Sequence, residues 1–269
     1  MPERIAGFDG PLFERLREGC RGRTAALVEV AGRDSMAAVL RASAGGSYQV
    51  LIPTVVYTGT EHGDRQAVIA NARSLSENPA VTGRATVLET VVLGSPAWWN
   101  ASASRYSSEL HLRYGFNATC VACHMYLHAA RVPLALSVGA RAVISGERLS
   151  HDGRIKINQL EPALAAYRET CEGEGLELAL PLERTEAGSE IDGIIGPGWP
   201  ESRRQMCCVL ADNYRDLSGG IIGREEDIAA YLDEFLVPFT RRVLLAFREE
   251  AKPPDYRAIA GRVMLERGT

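Results

Sequence analysis

The chain has 269 residues, 46% of them hydrophobic, enough to bury a full core in one large domain or in a domain with an annex. A formal net charge of −4 excludes a chain-wide basic coat for nucleic acid, although 30 Lys and Arg residues allow a local patch. No apolar run is long enough to cross a membrane and the opening MPERIAGFDG lacks the apolar core of a secretory signal. The expectation is therefore a cytoplasmic protein with no membrane partner.

Residues 11–19 read as a short helix that ends at Gly19. Thr24–Ala31 is a compact apolar run with the look of a buried parallel strand. Asp34 and Ser35 then open a helix with good N-terminal chemistry. Val50–Thr58 is a second strand, followed by a Gly-containing turn and a helix over 64–75. Ala85–Leu93 is a third strand, and a region rich in Trp, Ser and Tyr from Pro96 to Tyr114 is helical. A helix over 125–139 precedes a short fourth strand, Ala142–Ser145. Gln159–Glu172 is helical and Leu176–Leu182 is a fifth strand. From Glu225 onward the pattern is wholly helical. This alternation predicts an α/β fold, a mostly parallel five-stranded sheet with helices on both faces, and a C-terminal helical annex. The expected division is a catalytic domain over 1–218 and the annex over 219–269. The strand ends would form the ligand crevice.

Four segments carry chemistry. Val30-Ala31-Gly32-Arg33-Asp34-Ser35 joins the first strand to its helix, where small residues let backbone N–H groups approach an anion. An ordinary turn capped by Asp34 or Ser35 is the plainer reading. Cys120-x-x-Cys123-His124 sets two thiols three residues apart, suited to a metal or cluster, with His128 one turn beyond His124. The same string is a haem-attachment signature, but that chemistry requires export. Cys207 and Cys208 are adjacent, so their side chains diverge and only one can readily face the crevice. In a reducing compartment these close pairs suggest metal or redox chemistry rather than a disulfide framework. Cys20 and Cys171 stand alone and read as structural. Gly146-Glu147-Arg148 follows the fourth strand; Glu147 or Asp152 could hold Mg²⁺, and Lys156 could reach an anion, unless the loop is simply solvated. The aromatic group Trp98, Trp99, Tyr106 and Tyr114 suits either core packing or base stacking.

The segment ending in Gly32, Asp34 and Ser35 resembles the SGGxDS loop of the PP-loop ATP pyrophosphatase superfamily, with Val30 and Ala31 in place of the family's first Ser and Gly. The order of Gly146-Glu147-Arg148, Pro181-Leu182, Glu190-Ile191 and the late Cys pair resembles a thiouridine synthetase catalytic domain over roughly residues 24 to 215. That resemblance implies a Rossmann-like fold of the HUP type and an ATP-dependent, adenylating sulfurtransferase. Gly32, Arg33, Asp34 and Ser35 would cradle the pyrophosphate, Thr58 and Gly59 would lie beside the adenosine, and Gly146 and Glu147 would sit at the Mg²⁺-bound phosphates. Asp34, Cys207 and Cys208 would be catalytic. Cys120, Cys123 and one of Cys207 or Cys208 would hold a [4Fe–4S] cluster with one open iron, or else carry a persulfide. Residue-by-residue alignment favours Cys207. The partners implied are ATP, a sulfur donor and a tRNA or small-molecule substrate, with a homodimer also considered. Two alternatives stay open: a PP-loop amidating or ligating enzyme with structural Zn²⁺, and a non-catalytic nucleotide-binding protein of the same fold.

Overall fold

A computed structural model describes residues 7–197, 205–249 and 253–266. The opening residues 1–6 and parts of the expected C-terminal annex lie outside the described residues. The strands are β1 (Ala25–Glu29), β2 (Val50–Tyr57), β3 (Glu61–His62), β4 (Thr86–Val87), β5 (Val91–Gly94), β6 (Ala142–Ile144), β7 (Glu177–Ala179) and β8 (Cys207–Cys208). Six of them form one parallel sheet in the order β4-β2-β1-β6-β7, with β5 also on β2.

The expected third strand is split, and the cause lies in its neighbour. β2 pairs with β4 at Val50 and Leu51, then with β5 from Thr54 to Tyr57. Between them stands Pro53, which has no N–H to donate. Leu88 still donates to the carbonyl of Leu51, but the ladder breaks at the next step and resumes beyond it. The sheet is thus five positions wide and contains six strands.

Alternation along the strands divides the core into two layers. Ala25 and Leu27 of β1 and Val50, Ile52 and Val56 of β2 face one apolar cluster. Ala26 and Val28, with Leu51 and Val55, face the other. The first layer is covered by the helices Pro11–Cys20, Thr119–Ala129 and Glu161–Glu172, together with the C-terminal helices. The second is covered by Arg33–Ala44, Arg65–Glu77 and Gly188–Ile195. Helices Glu225–Tyr231, Val237–Glu249 and Tyr256–Glu266 contribute Tyr231, Phe239, Phe247 and Tyr256 to the first cluster, so this segment shares the core of the sheet. Trp98 stacks on Tyr256 at 5.5 Å and Tyr114 is buried with its hydroxyl on Glu234. Core packing therefore accounts for both residues. Cys20 and Cys171 are buried and unpaired. Burial pushes their thiols up to about 11 and about 12, so they are inert structural residues. Among the described residues no helix is long and apolar enough to cross a membrane.

Candidate functional site

β1 continues to β2 on one side, while β6 and β7 lie on its other side, so the chain changes direction between β1 and β6. Ligands of such sheets bind beyond the strand ends at that point. A crevice opens there with two lobes. A polar lobe of about 500 Å³ lies against Arg33, Asp34, Ser35, Gly146 and Glu147. A second lobe of about 480 Å³ is lined by Val55, Tyr57, Trp99, Cys120, Cys123 and Cys208. Glu29, Ala31, Gly32, His124, Lys156 and Gln205 line both, so the lobes form one continuous cleft.

The turn after β1 is shaped by its own side chains. Ser35 Oγ accepts from the N–H of Ala31 at 2.9 Å and donates to the carbonyl of Gly32 at 2.8 Å. Its hydroxyl thus folds the loop. Gly32 is the N-cap of helix Arg33–Ala44, and the N–H groups of Gly32, Arg33 and Asp34 meet no acceptor among the described residues. They form an electropositive cradle of the kind that binds anions. Asp34 turns away from it: Arg148, only 1% exposed, donates Nε–H to its carboxylate at 2.9 Å. Arg148 also donates to the carbonyls of Thr185 and Glu186, tying the turn to the segment after β7. Arg33 reaches Asp192 at 3.1 Å.

Gly146 explains the short motif after β6. A Cβ there would lie 2.5 Å from the amide nitrogen of Ser35 and 2.6 Å from the carbonyl carbon of Asp34, both backbone atoms. The two loops touch backbone to backbone, which only glycine permits. Gly146→Ala is therefore expected to lower stability by about 1–3 kcal/mol and to spoil the cradle. A urea midpoint and anion affinity equal to those of the parent would show that the loops are not in this contact.

Other expected residues have different tasks. Asp152 accepts from the N–H of Gly188 at 2.7 Å, in the first turn of helix Gly188–Ile195. Thr58 is buried at the wall of the second lobe, and the N–H groups of Thr58 and Gly59 both donate to Glu61. Glu147 is buried against His124, with Nδ1 2.5 Å from Oε1, and accepts from Gln159. Burial opposes its ionisation, yet the neighbouring imidazoles hold it well below the usual carboxylate range. The same carboxylate raises His124 against the effect of burial. His151 is lowered to about 4 by burial and by Lys156, and is neutral. Lys156 has no ion pair among the described residues and lies between the two lobes; burial lowers its ammonium.

Helix Thr119–Ala129 supplies one stripe of the cleft wall: Cys120, Cys123, His124 and Leu127, extended by Arg131. The late pair arrives by a device invisible in the strand–helix alternation. β8 pairs antiparallel with β3, placing Cys208 opposite Glu61 and Cys207 opposite His62. Cys208 faces the cleft, 3.5 Å from Thr60 Oγ1, while Cys207 is exposed on the other side of the ribbon. The expected preference for Cys207 is reversed: a two-residue strand sends neighbours to opposite faces, and its register selects Cys208. Burial, with the nearby sulfur of Cys208 acting in the same direction, holds Cys120 and Cys123 up to about 12. The buried indole N–H of Trp99 has no acceptor in hydrogen-bond geometry, and its effect is to favour ionised Cys123.

Among the described residues one group of side chains is placed to hold a metal. His124, His128 and Glu147 bring three ligand atoms within 4.8 Å of one another. The sulfurs of Cys120, Cys123 and Cys208 share one lobe but, among the described residues, do not form so compact a trio. Glu29 and the buried Arg131, which stands under the cleft and donates to Thr54, carry no motif and were not legible in the sequence.

No family model matches the chain. It is 35% identical over 227 residues to Uncharacterized protein MJ0009 of Methanocaldococcus jannaschii, an alignment that covers 84% of this chain and 82% of the relative.

Proposed function

The chain belongs to the same family as protein MJ0009 of Methanocaldococcus jannaschii, and we propose that it is an ATP-dependent adenylating enzyme of PP-loop type that passes sulfur to its activated substrate. The observation that carries this reading is the continuity of the cleft. An anion cradle with Lys156, which has no ion pair among the described residues, opens directly into a lobe walled by three cysteines from two distant parts of the chain.

The free N–H groups of Gly32, Arg33 and Asp34 would hold the pyrophosphate of ATP, with Lys156 offsetting its charge. Val55, Val56, Tyr57 and Val68 offer the adenosine an apolar wall. A substrate oxygen attacks the α-phosphorus, an O–P bond forms, and pyrophosphate leaves. The carbon that bore a poor leaving group now bears AMP. A hydrosulfide-class donor then forms the C–S bond, the C–O bond breaks, and AMP departs with the electron pair.

The three thiols suit a sulfur-bearing metal group better than free thiol chemistry. Thiols held up to about 12 are neutral at physiological pH and poor nucleophiles. A cation bound at Cys120, Cys123 and Cys208 would ionise them. A single zinc ion gathers its thiolates about 2.3 Å away in a compact tetrahedron, and these three sulfurs do not form so compact a trio among the described residues, so the reading takes a [4Fe–4S] cluster as the group they would hold. Such a group would supply a site that carries the incoming sulfur; the chain's own part is to orient three thiolates and exclude water.

The test is pyrophosphate release from ATP, with sulfide and candidate tRNA or small-molecule acceptors. Lys156→Ala should weaken ATP binding at least tenfold, about 1.4 kcal/mol, with an unchanged unfolding midpoint because no ion pair is lost. Failure of the parent chain to bind ATP by calorimetry rejects the proposal.

A further inference from the structure

Glu147 is surrounded by more imidazole nitrogen than one proton can satisfy. His124 and His128 stand one turn apart on helix Thr119–Ala129 and converge on the same carboxylate oxygen, at 2.5 Å and 3.4 Å. His128 is 1% exposed, and among the described residues neither of its ring nitrogens has a hydrogen-bond partner. Gln159 already occupies the other oxygen of Glu147. A proton shared between His124 and Glu147 closes that pair and leaves His128 with a 3.4 Å approach but no hydrogen bond. A buried polar group left so costs about 1–3 kcal/mol, unless the site has a ligand.

We propose that His124, His128 and Glu147 form a mononuclear site for a divalent transition-metal ion, separate from the three cysteines. Two imidazoles and a carboxylate are the donor set of zinc and of non-haem iron or manganese, and not of Mg²⁺, which favours oxygen ligands. Ligands held about 2.1 Å from a tetrahedral ion stand about 3.4 Å apart. The His128–Glu147 separation of 3.4 Å already has that value and the His124–Glu147 contact of 2.5 Å is shorter, so the ion needs an opening of that one contact. His124 and Glu147 also line the polar lobe. The remaining coordination positions therefore face the place where a phosphate or substrate oxygen would lie. The ion would polarise that oxygen. This use rests on the proposed ATP chemistry, but binding of the ion does not.

The experiment uses the full chain with Cys120→Ser, Cys123→Ser and Cys208→Ser, which removes the thiol lobe as a competing ligand, and Zn²⁺ as the probe. One zinc per chain should survive dialysis. Adding His128→Gln or Glu147→Gln should weaken zinc binding at least 100-fold, with folding monitored by circular dichroism. X-ray absorption of the zinc-loaded parent should show nitrogen and oxygen at about 2.0–2.1 Å, with imidazole scattering, which decides the matter even if a variant does not fold. A parent that retains no zinc, a zinc shell without imidazole, or undiminished binding in both folded variants overturns the site. None of these readouts involves ATP.

Discussion

Asp34→Ala is expected to destabilise the chain by about 3 kcal/mol, since breaking a buried pair leaves a charge without its partner. Arg148 is 1% exposed, and Asp34 is the carboxylate within ion-pair reach of it among the described residues. Asp34 itself keeps some exposure, which places the loss at the lower end of the range for such pairs. For a chain of this size it corresponds to a fall of about 6–12 °C in Tm. Asp34→Asn keeps an acceptor and should lose less. Adding Arg148→Met to Asp34→Ala should recover much of the stability, because the uncompensated charge is then gone. The loop position alone suggests a ligand-facing Asp34 whose removal leaves the fold intact; the buried arginine makes it a folding residue first. Urea unfolding of the three variants checks this, and a parental midpoint in Asp34→Ala contradicts it. Ser35→Ala should cost less, about 1 kcal/mol for each loop hydrogen bond lost.

The largest effect on activity is expected from Cys208→Ser, which should abolish sulfur transfer, while Cys207→Ser retains it nearly whole. Cys208 lines the cleft beside Cys120 and Cys123; Cys207 sits across from His62 and is exposed. Serine preserves the size of the side chain, so the ribbon of β3 and β8 should persist in both variants. Bound iron and sulfide after anaerobic purification should follow the same order: parental in Cys207→Ser, absent in Cys208→Ser, Cys120→Ser and Cys123→Ser. Thiolated product formed at the parental rate by Cys208→Ser rules out the three-cysteine arrangement.

The sequence by itself determined the α/β class, the parallel sheet and the helical C-terminal segment, because hydrophobic period and turn residues are local properties. It also located the turn at Gly32–Ser35 and the Gly146-Glu147-Arg148 segment, each a short string at the end of a strand, and the spacing of Cys120 and Cys123. It located the i, i+4 pair His124 and His128 as well, though not their meeting with Glu147. Tertiary structure decided everything that depends on two distant segments touching. Pro53 splits a neighbouring strand because its missing donor matters only once β2 is paired. Asp34 is a counter-ion because Arg148, 114 positions away, is buried beside it. Cys208 rather than Cys207 reaches the cleft because a two-residue pairing with Glu61 and His62 sets the register, and no periodicity extends over two residues. A charge or a thiol acquires its role from the dielectric and the partners around it, and those are supplied by the fold.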